Sequence, residues 1–136
     1  MNILETLKPY ILGLLRILAG YMYFLHGTAK LFEFPISMTG GNGSVALFSL
    51  IGVAAILELV GGLFLILGLF TRITSFLLSG QMAVAYLIAH ASAATFLLPT
   101  ANKGEVAVLY SLLFFYFVFS GPGAFALDNR KKTNTQ

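Results

Sequence analysis

The chain has 136 residues, enough for one domain, with 58% hydrophobic residues, only 10% charged residues and a net charge of +3. Soluble domains carry about 25% charged residues, so a soluble fold could not cover its surface with this composition. Cysteine is absent, which excludes disulfides, thiolate nucleophiles and Cys-ligated zinc or iron–sulfur sites.

Four stretches reach the roughly 20 apolar residues that a transmembrane helix needs. The sequence predicts an all-α integral membrane protein, a four-helix bundle. The first span covers residues 9–32, with Pro9 in its opening turn. Glu5 and Arg16 interrupt any signal-peptide pattern, so this helix is read as permanent. The second span covers residues 45–70, after the turn sequence Thr39-Gly40-Gly41-Asn42-Gly43-Ser44. Thr71-Arg72 forms a tight hairpin into the third span, residues 73–95. The loop Pro99 to Gly104 leads to the fourth, residues 105–127, which Gly121-Pro122-Gly123 bends or ends. Residues 129–136 form a basic, polar tail expected to be disordered.

Basic residues set the expected orientation. Lys8, Arg72, Arg130, Lys131 and Lys132 fall on one side, and Lys30 and Lys103 on the other. The richer side is expected to be cytoplasmic, with both termini inside and the 33–44 and 96–104 loops outside. These charges suit anionic membrane lipids; no soluble basic face for nucleic acid is evident.

Ionisable groups at membrane depth are costly and face protein or water. Along its helix, Arg16 lies about 10 Å from the inner end, and Glu58 about 18 Å. The expectation is a buried Arg16–Glu58 ion pair, structural or functional. On helix 1, Arg16, Gly20, Tyr23, Gly27 and Lys30 share one face, with His26 at its edge. Gly20 and Gly27, with Gly61 and Gly62 of helix 2, are expected to let helices approach closely. His26 and His90 fall at about 25 and 26 Å from the inner end. With Tyr23, Lys30 and Tyr86 they form a candidate ligand-binding patch in the outer half. Three readings are open: satisfied interfacial histidines, a quinone or other small-molecule site, and haem or metal ligation. The histidine spacing matches no recognised metal motif, and no metal ligand set is proposed. The helix 4 phenylalanines (Phe114, Phe115, Phe117, Phe119) are expected to face lipid or the core.

These residues also carry a resemblance. Leu15-Arg16-Ile17-Leu18-Ala19-Gly20, with Phe24-Leu25-His26-Gly27 and Lys30-Leu31-Phe32, resembles the first helix of the DoxX family. Glu58-Leu59-Val60-Gly61-Gly62 and Gly68-Leu69-Phe70-Thr71-Arg72 are similar to its second signature. Met82-Ala83, Asn102-Lys103-Gly104-Glu105 and Gly121-Pro122-Gly123 to Asp128 also fit, although the family more often has a small residue where Lys103 stands. The resemblance covers nearly the whole chain. It implies a four-helix bacterial inner-membrane protein. Members are linked to quinone-dependent redox chemistry, including quinol oxidase and thiosulfate:quinone oxidoreductase complexes, and to oxidative or thiol stress.

Three functions follow as expectations. One is a quinone-linked redox subunit or accessory protein; any catalysis would be oxidoreduction with quinone and a partner subunit. Another is a small-solute or proton-coupled transporter, for which so narrow a bundle would need a homodimer. The third is a membrane anchor for a soluble oxidoreductase, docked by the basic tail. No hydrolase or phosphate-binding motif is present.

Overall fold

The computed structural model describes residues 2–132. Four α-helices run up and down: α1 Ile3–Phe32, α2 Leu50–Leu67, α3 Thr71–Ala85 and α4 Glu105–Ser120. A π-helical turn, Tyr86–His90, prolongs α3, and a 3-10 turn, Leu127–Lys132, closes the described chain. No strand occurs among the described residues. Three helical stretches are long and apolar enough to cross a membrane: Ile3–Phe32, Leu50–Leu67 and Thr71–His90. At 16 residues α4 is shorter, about 24 Å. The N-terminus, the α2–α3 turn and the segment after α4 share one end, the turn end. The two longer connections lie at the other, the loop end.

Several boundaries differ from the sequence reading, each for a local reason. The first helix starts at Ile3, because the Asn2 side chain accepts from the Leu4 N–H at 3.2 Å. Pro9 therefore lies inside the helix. The second helix starts at Leu50, where Ser49 Oγ caps the Gly52 N–H at 3.0 Å. It ends at Gly68, in the left-handed region at φ 65°, and Leu69 N–H returns to Phe64 O at 2.9 Å. The tight turn is thus 68–70, and Thr71 and Arg72 already belong to α3. Residues 91–95 have left the helix, and α4 stops at Ser120, seven residues earlier than expected. Residues 127–132 form the 3-10 turn instead of a disordered tail, while 133–136 lie outside the described residues.

Burial is inverted relative to a soluble bundle. Large apolar side chains such as Leu18, Leu63, Phe76, Leu112 and Phe119 are exposed, whereas Arg16, Glu58, Thr71 and Ser75 are buried. Lipid makes such an outer surface stable. The core is small: Ala19, Tyr23, Leu65, Leu78, Phe114 and Phe117. Phe114 and Phe117 thus point inward, and Phe115 and Phe119 outward.

Helices α1 and α2 touch backbone to backbone. A Cβ on Gly20 would lie 2.9 Å from Gly62 O, one on Gly27 2.7 Å from Leu59 N, and one on Gly62 2.7 Å from Phe24 N. Glycine at these positions removes the side chain that would hold the helices apart. Gly61 faces α3 instead, where Leu78 fills the space its side chain would take. Between α3 and α4, Ser79 Oγ donates to Ser111 O at 2.8 Å and Ser111 Oγ to Ser79 O at 3.0 Å.

Candidate functional site

Arg16 and Glu58 are both buried, at 0% and 1% exposure, but they do not pair. Arg16 spends all five guanidinium N–H groups on backbone carbonyls. Nε donates to Pro122 O at 2.7 Å. One terminal nitrogen donates to Leu65 O and to Ile66 O, the latter at 3.0 Å. The other reaches Ala124 O at 2.9 Å and Phe125 O at 3.1 Å. Leu65 and Ile66 lie in the last turn of α2, where carbonyls lack helical partners and the helix dipole is negative. Arg16 thus satisfies the end of α2 and fastens the segment after α4 beneath the bundle. The expected Arg16–Glu58 pair is corrected on this ground: the carbonyls already fill the guanidinium.

The same segment carries Asp128 to the start of α3. Phe70, in the left-handed region, supplies no side-chain cap. Asp128 replaces it, its carboxylate accepting from Phe70 N–H at 2.8 Å and Thr71 N–H at 2.9 Å. The Asp128 charge also acts on Arg16. Sequence reasoning gave Asp128 no role, because a cap supplied from 57 residues away leaves no local pattern.

Glu58 sits at the midpoint of α2. Its Oε1 accepts from Lys30 Nζ at 2.6 Å and from Gln81 Nε2 at 3.3 Å. Lys30, in the last turn of α1, bends inward to reach it and keeps 16% side-chain exposure. The other carboxylate oxygen, Oε2, is buried without a partner, as are Gln81 Oε1 and the Tyr23 hydroxyl. Glu58 acts electrostatically on that hydroxyl, as does Tyr110. The Tyr23 ring packs edge-on against Phe114 at 4.9 Å and tilted against Tyr110 at 5.4 Å. Four helices therefore contribute to one polar centre: Tyr23 and Lys30, Glu58, Gln81, and Tyr110.

The outer patch divides in two. His26 is exposed, and its ring meets Tyr23 at 6.3 Å and Tyr110 at 6.1 Å, beside the Glu58 centre. Tyr86 and His90 instead order the 91–104 connection. The Tyr86 hydroxyl donates to Phe96 O at 2.5 Å and accepts from Asn102 Nδ2 at 2.9 Å. His90 Nδ1 lies 3.2 Å from Asn102 O, and the two rings stack at 6.4 Å. Gly104 makes room for Tyr86, since a Cβ there would come 2.5 Å from its ring. Among the described residues no ring contact or hydrogen bond joins His26 to His90, and no cluster of three metal-ligating side chains occurs. Gln81, which is not among the residues singled out from the sequence, proves to be the contribution of α3 to the site.

The centre carries unsatisfied polar atoms. Oε2 and Gln81 Oε1 accept hydrogen bonds, and the Tyr23 hydroxyl donates or accepts one. Lys30 supplies the countercharge.

The DoxX family profile matches residues 11–91, which include Tyr23, Lys30, Glu58 and Gln81. The chain is also similar to an uncharacterized protein of Haemophilus influenzae, with 59% identity over 131 residues, 96% of this chain and 97% of that one. No solved structure matches it.

Proposed function

The chain belongs to the DoxX family, and from that premise we propose that it is a quinol-binding, redox-linked subunit or accessory protein of the bacterial inner membrane. One observation carries the reading: Glu58 is buried with one oxygen held by Lys30 and the other unpartnered, near two further buried polar atoms that lack partners. Buried polar groups normally find hydrogen bonds, so such a set favours a ligand or water. Two acceptors and one hydroxyl suit a headgroup with two O–H donors. When bound, a quinol supplies electrons and protons to whatever oxidises it. Glu58 Oε2 would accept a hydrogen bond or a proton, Tyr23 would orient a ligand oxygen, and Lys30 would supply the countercharge. The His26 and Tyr110 rings would border the headgroup.

The turn end, with Lys8, Arg72 and Arg130, would face the cytoplasm together with both termini. The test is native mass spectrometry of detergent-purified protein with added quinol. Retained quinol in wild type, lost in Glu58→Gln and Tyr23→Phe, supports the site. Equal retention in all three sinks it.

Proton-coupled transport is a second reading, favoured by Lys30, which links the buried carboxylate to the exposed loop end. Flux of protons with a solute in proteoliposomes would support it. Docking of a soluble oxidoreductase relied on the basic tail, and the side chains of Lys131 and Lys132 lie outside the described residues.

A further inference from the structure

Buried polar groups without partners occur at two heights. At mid-bundle they are Tyr23 OH, Glu58 Oε2 and Gln81 Oε1; near the turn end they are the hydroxyls of Thr71 and Ser75, both fully buried. Thr71 and Ser75 are four residues apart on the inward face of α3, a rise of about 6 Å. Leu78 follows on that face, about 4.5 Å further along. It is buried against Gly61, where a Cβ would meet Leu78 Cδ2 at 2.7 Å. Gly61 lies one turn from Glu58 on α2. Gln81, one turn beyond Leu78, donates to Glu58. Leu78, packed in one core with Leu65, Phe114 and Phe117, therefore belongs to the apolar layer between the lower hydroxyls and the buried carboxylate.

We infer that Thr71, Ser75 and Glu58 line a hydrated proton path from the turn end to the middle of the bundle, closed by the apolar layer to which Leu78 belongs. Water is the natural partner for isolated buried hydroxyls. A hydroxyl both donates and accepts, so it can pass a proton along a water chain. The step is a proton transfer alone: a proton leaves Glu58 Oε2 for water, and no electron moves. An apolar constriction stops such a chain by excluding water.

The charges around the path allow this. Lys30 and Tyr23 from α1 and Gln81 from α3 surround Glu58, with Tyr110 of α4 and His26 at the edge. At the turn end Arg16 is bonded to carbonyls and offset by Asp128. The inference rests on Glu58 as the proton-accepting group proposed above, but not on quinol as the ligand.

The experiment places the full chain in liposomes with an entrapped pH dye and a potassium–valinomycin potential. Leu78→Ser should pass protons faster than wild type by on the order of tenfold. Adding Glu58→Gln to it should return the rate to that of wild type. A leak that survives Glu58→Gln overturns the path. So does an unchanged rate in a Leu78→Ser protein with wild-type helicity and elution. Should Leu78→Ser not fold, infrared exchange of the Glu58 carboxyl proton into deuterium oxide decides. Thr71→Val with Ser75→Ala should slow that exchange, and an unchanged rate overturns the inference. Quinol retention is measured on the same proteins, so its loss with the leak intact removes only the quinol reading.

Discussion

Lys30 Nζ lies 2.6 Å from Glu58 Oε1, and this contact turns the last turn of α1 inward onto the midpoint of α2. Lysines near helix ends commonly extend toward the interface; this one does the opposite. Breaking a buried pair from one side leaves an uncompensated charge. Lys30→Met alone should therefore cost about 3–5 kcal/mol. Adding Glu58→Gln should recover most of that loss. Unfolding in graded detergent denaturant, read as a double-mutant cycle, checks both values.

Arg16 offers five donors to five carbonyls, and lysine offers three. Arg16→Lys should lower stability by about 1–3 kcal/mol for each carbonyl left unsatisfied, despite keeping the charge. The segment after α4 should loosen first. Hydrogen exchange at the Ala124 amide, which donates to Pro9 O, reports that loosening directly.

Two helical glycines should respond oppositely to alanine. In Gly62→Ala the new methyl would meet the α1 backbone at 2.7 Å, forcing the helices apart at about 1–3 kcal/mol. In Gly80→Ala it would meet nothing within 4 Å, so helix propensity should raise stability by up to about 1 kcal/mol. Thermal melts in one detergent compare them.

Removing the distant cap should weaken the start of α3. Asp128→Ala should cost about 0.5–2 kcal/mol. Amide exchange at Phe70 and Thr71 should accelerate while the middle of α3 stays protected. Uniform acceleration along α3 would contradict a local capping role.

The loop end carries a pH-dependent element. Glu33 Oε1 accepts from Ser37 Oγ at 2.7 Å, Thr39 Oγ1 at 3.1 Å and Gly43 N–H at 3.2 Å. The Ser37 hydrogen bond first, then those of Thr39 and Gly43, hold its carboxyl below the usual carboxylate value. A depressed folded value means that the stabilisation is complete above the unfolded pKa and disappears as pH falls through the folded one. The protection factor of the Gly43 amide, its rate taken relative to the intrinsic rate at the same pH, should therefore fall at acid pH, and Glu33→Gln should remove that dependence.

Part of this site was legible from local pattern. Gly20, Gly27, Tyr23 and Lys30 share a helical face by spacing alone, and the rarity of charge in apolar spans marks Arg16 and Glu58 as interior. The choice of partners was not legible. Depth reckoned along each helix brought Arg16 within reach of Glu58, because it took no account of how α1 sits against the end of α2. The α2 carbonyls and the chain after Ser120 then claimed the guanidinium. Tyr86 and His90 shared a height with His26, but height does not say which neighbour a ring faces.

The sequence alone determined that the chain lives in lipid and folds as four helices, since composition and hydrophobic length follow from solvent chemistry without knowledge of contacts. Tertiary structure decided the rest. Lys30 pairs with Glu58, Arg16 with backbone carbonyls, and Asp128 with the start of α3. Each is a contact between positions at least 28 residues apart, fixed by helix register and by the path of the segment after α4.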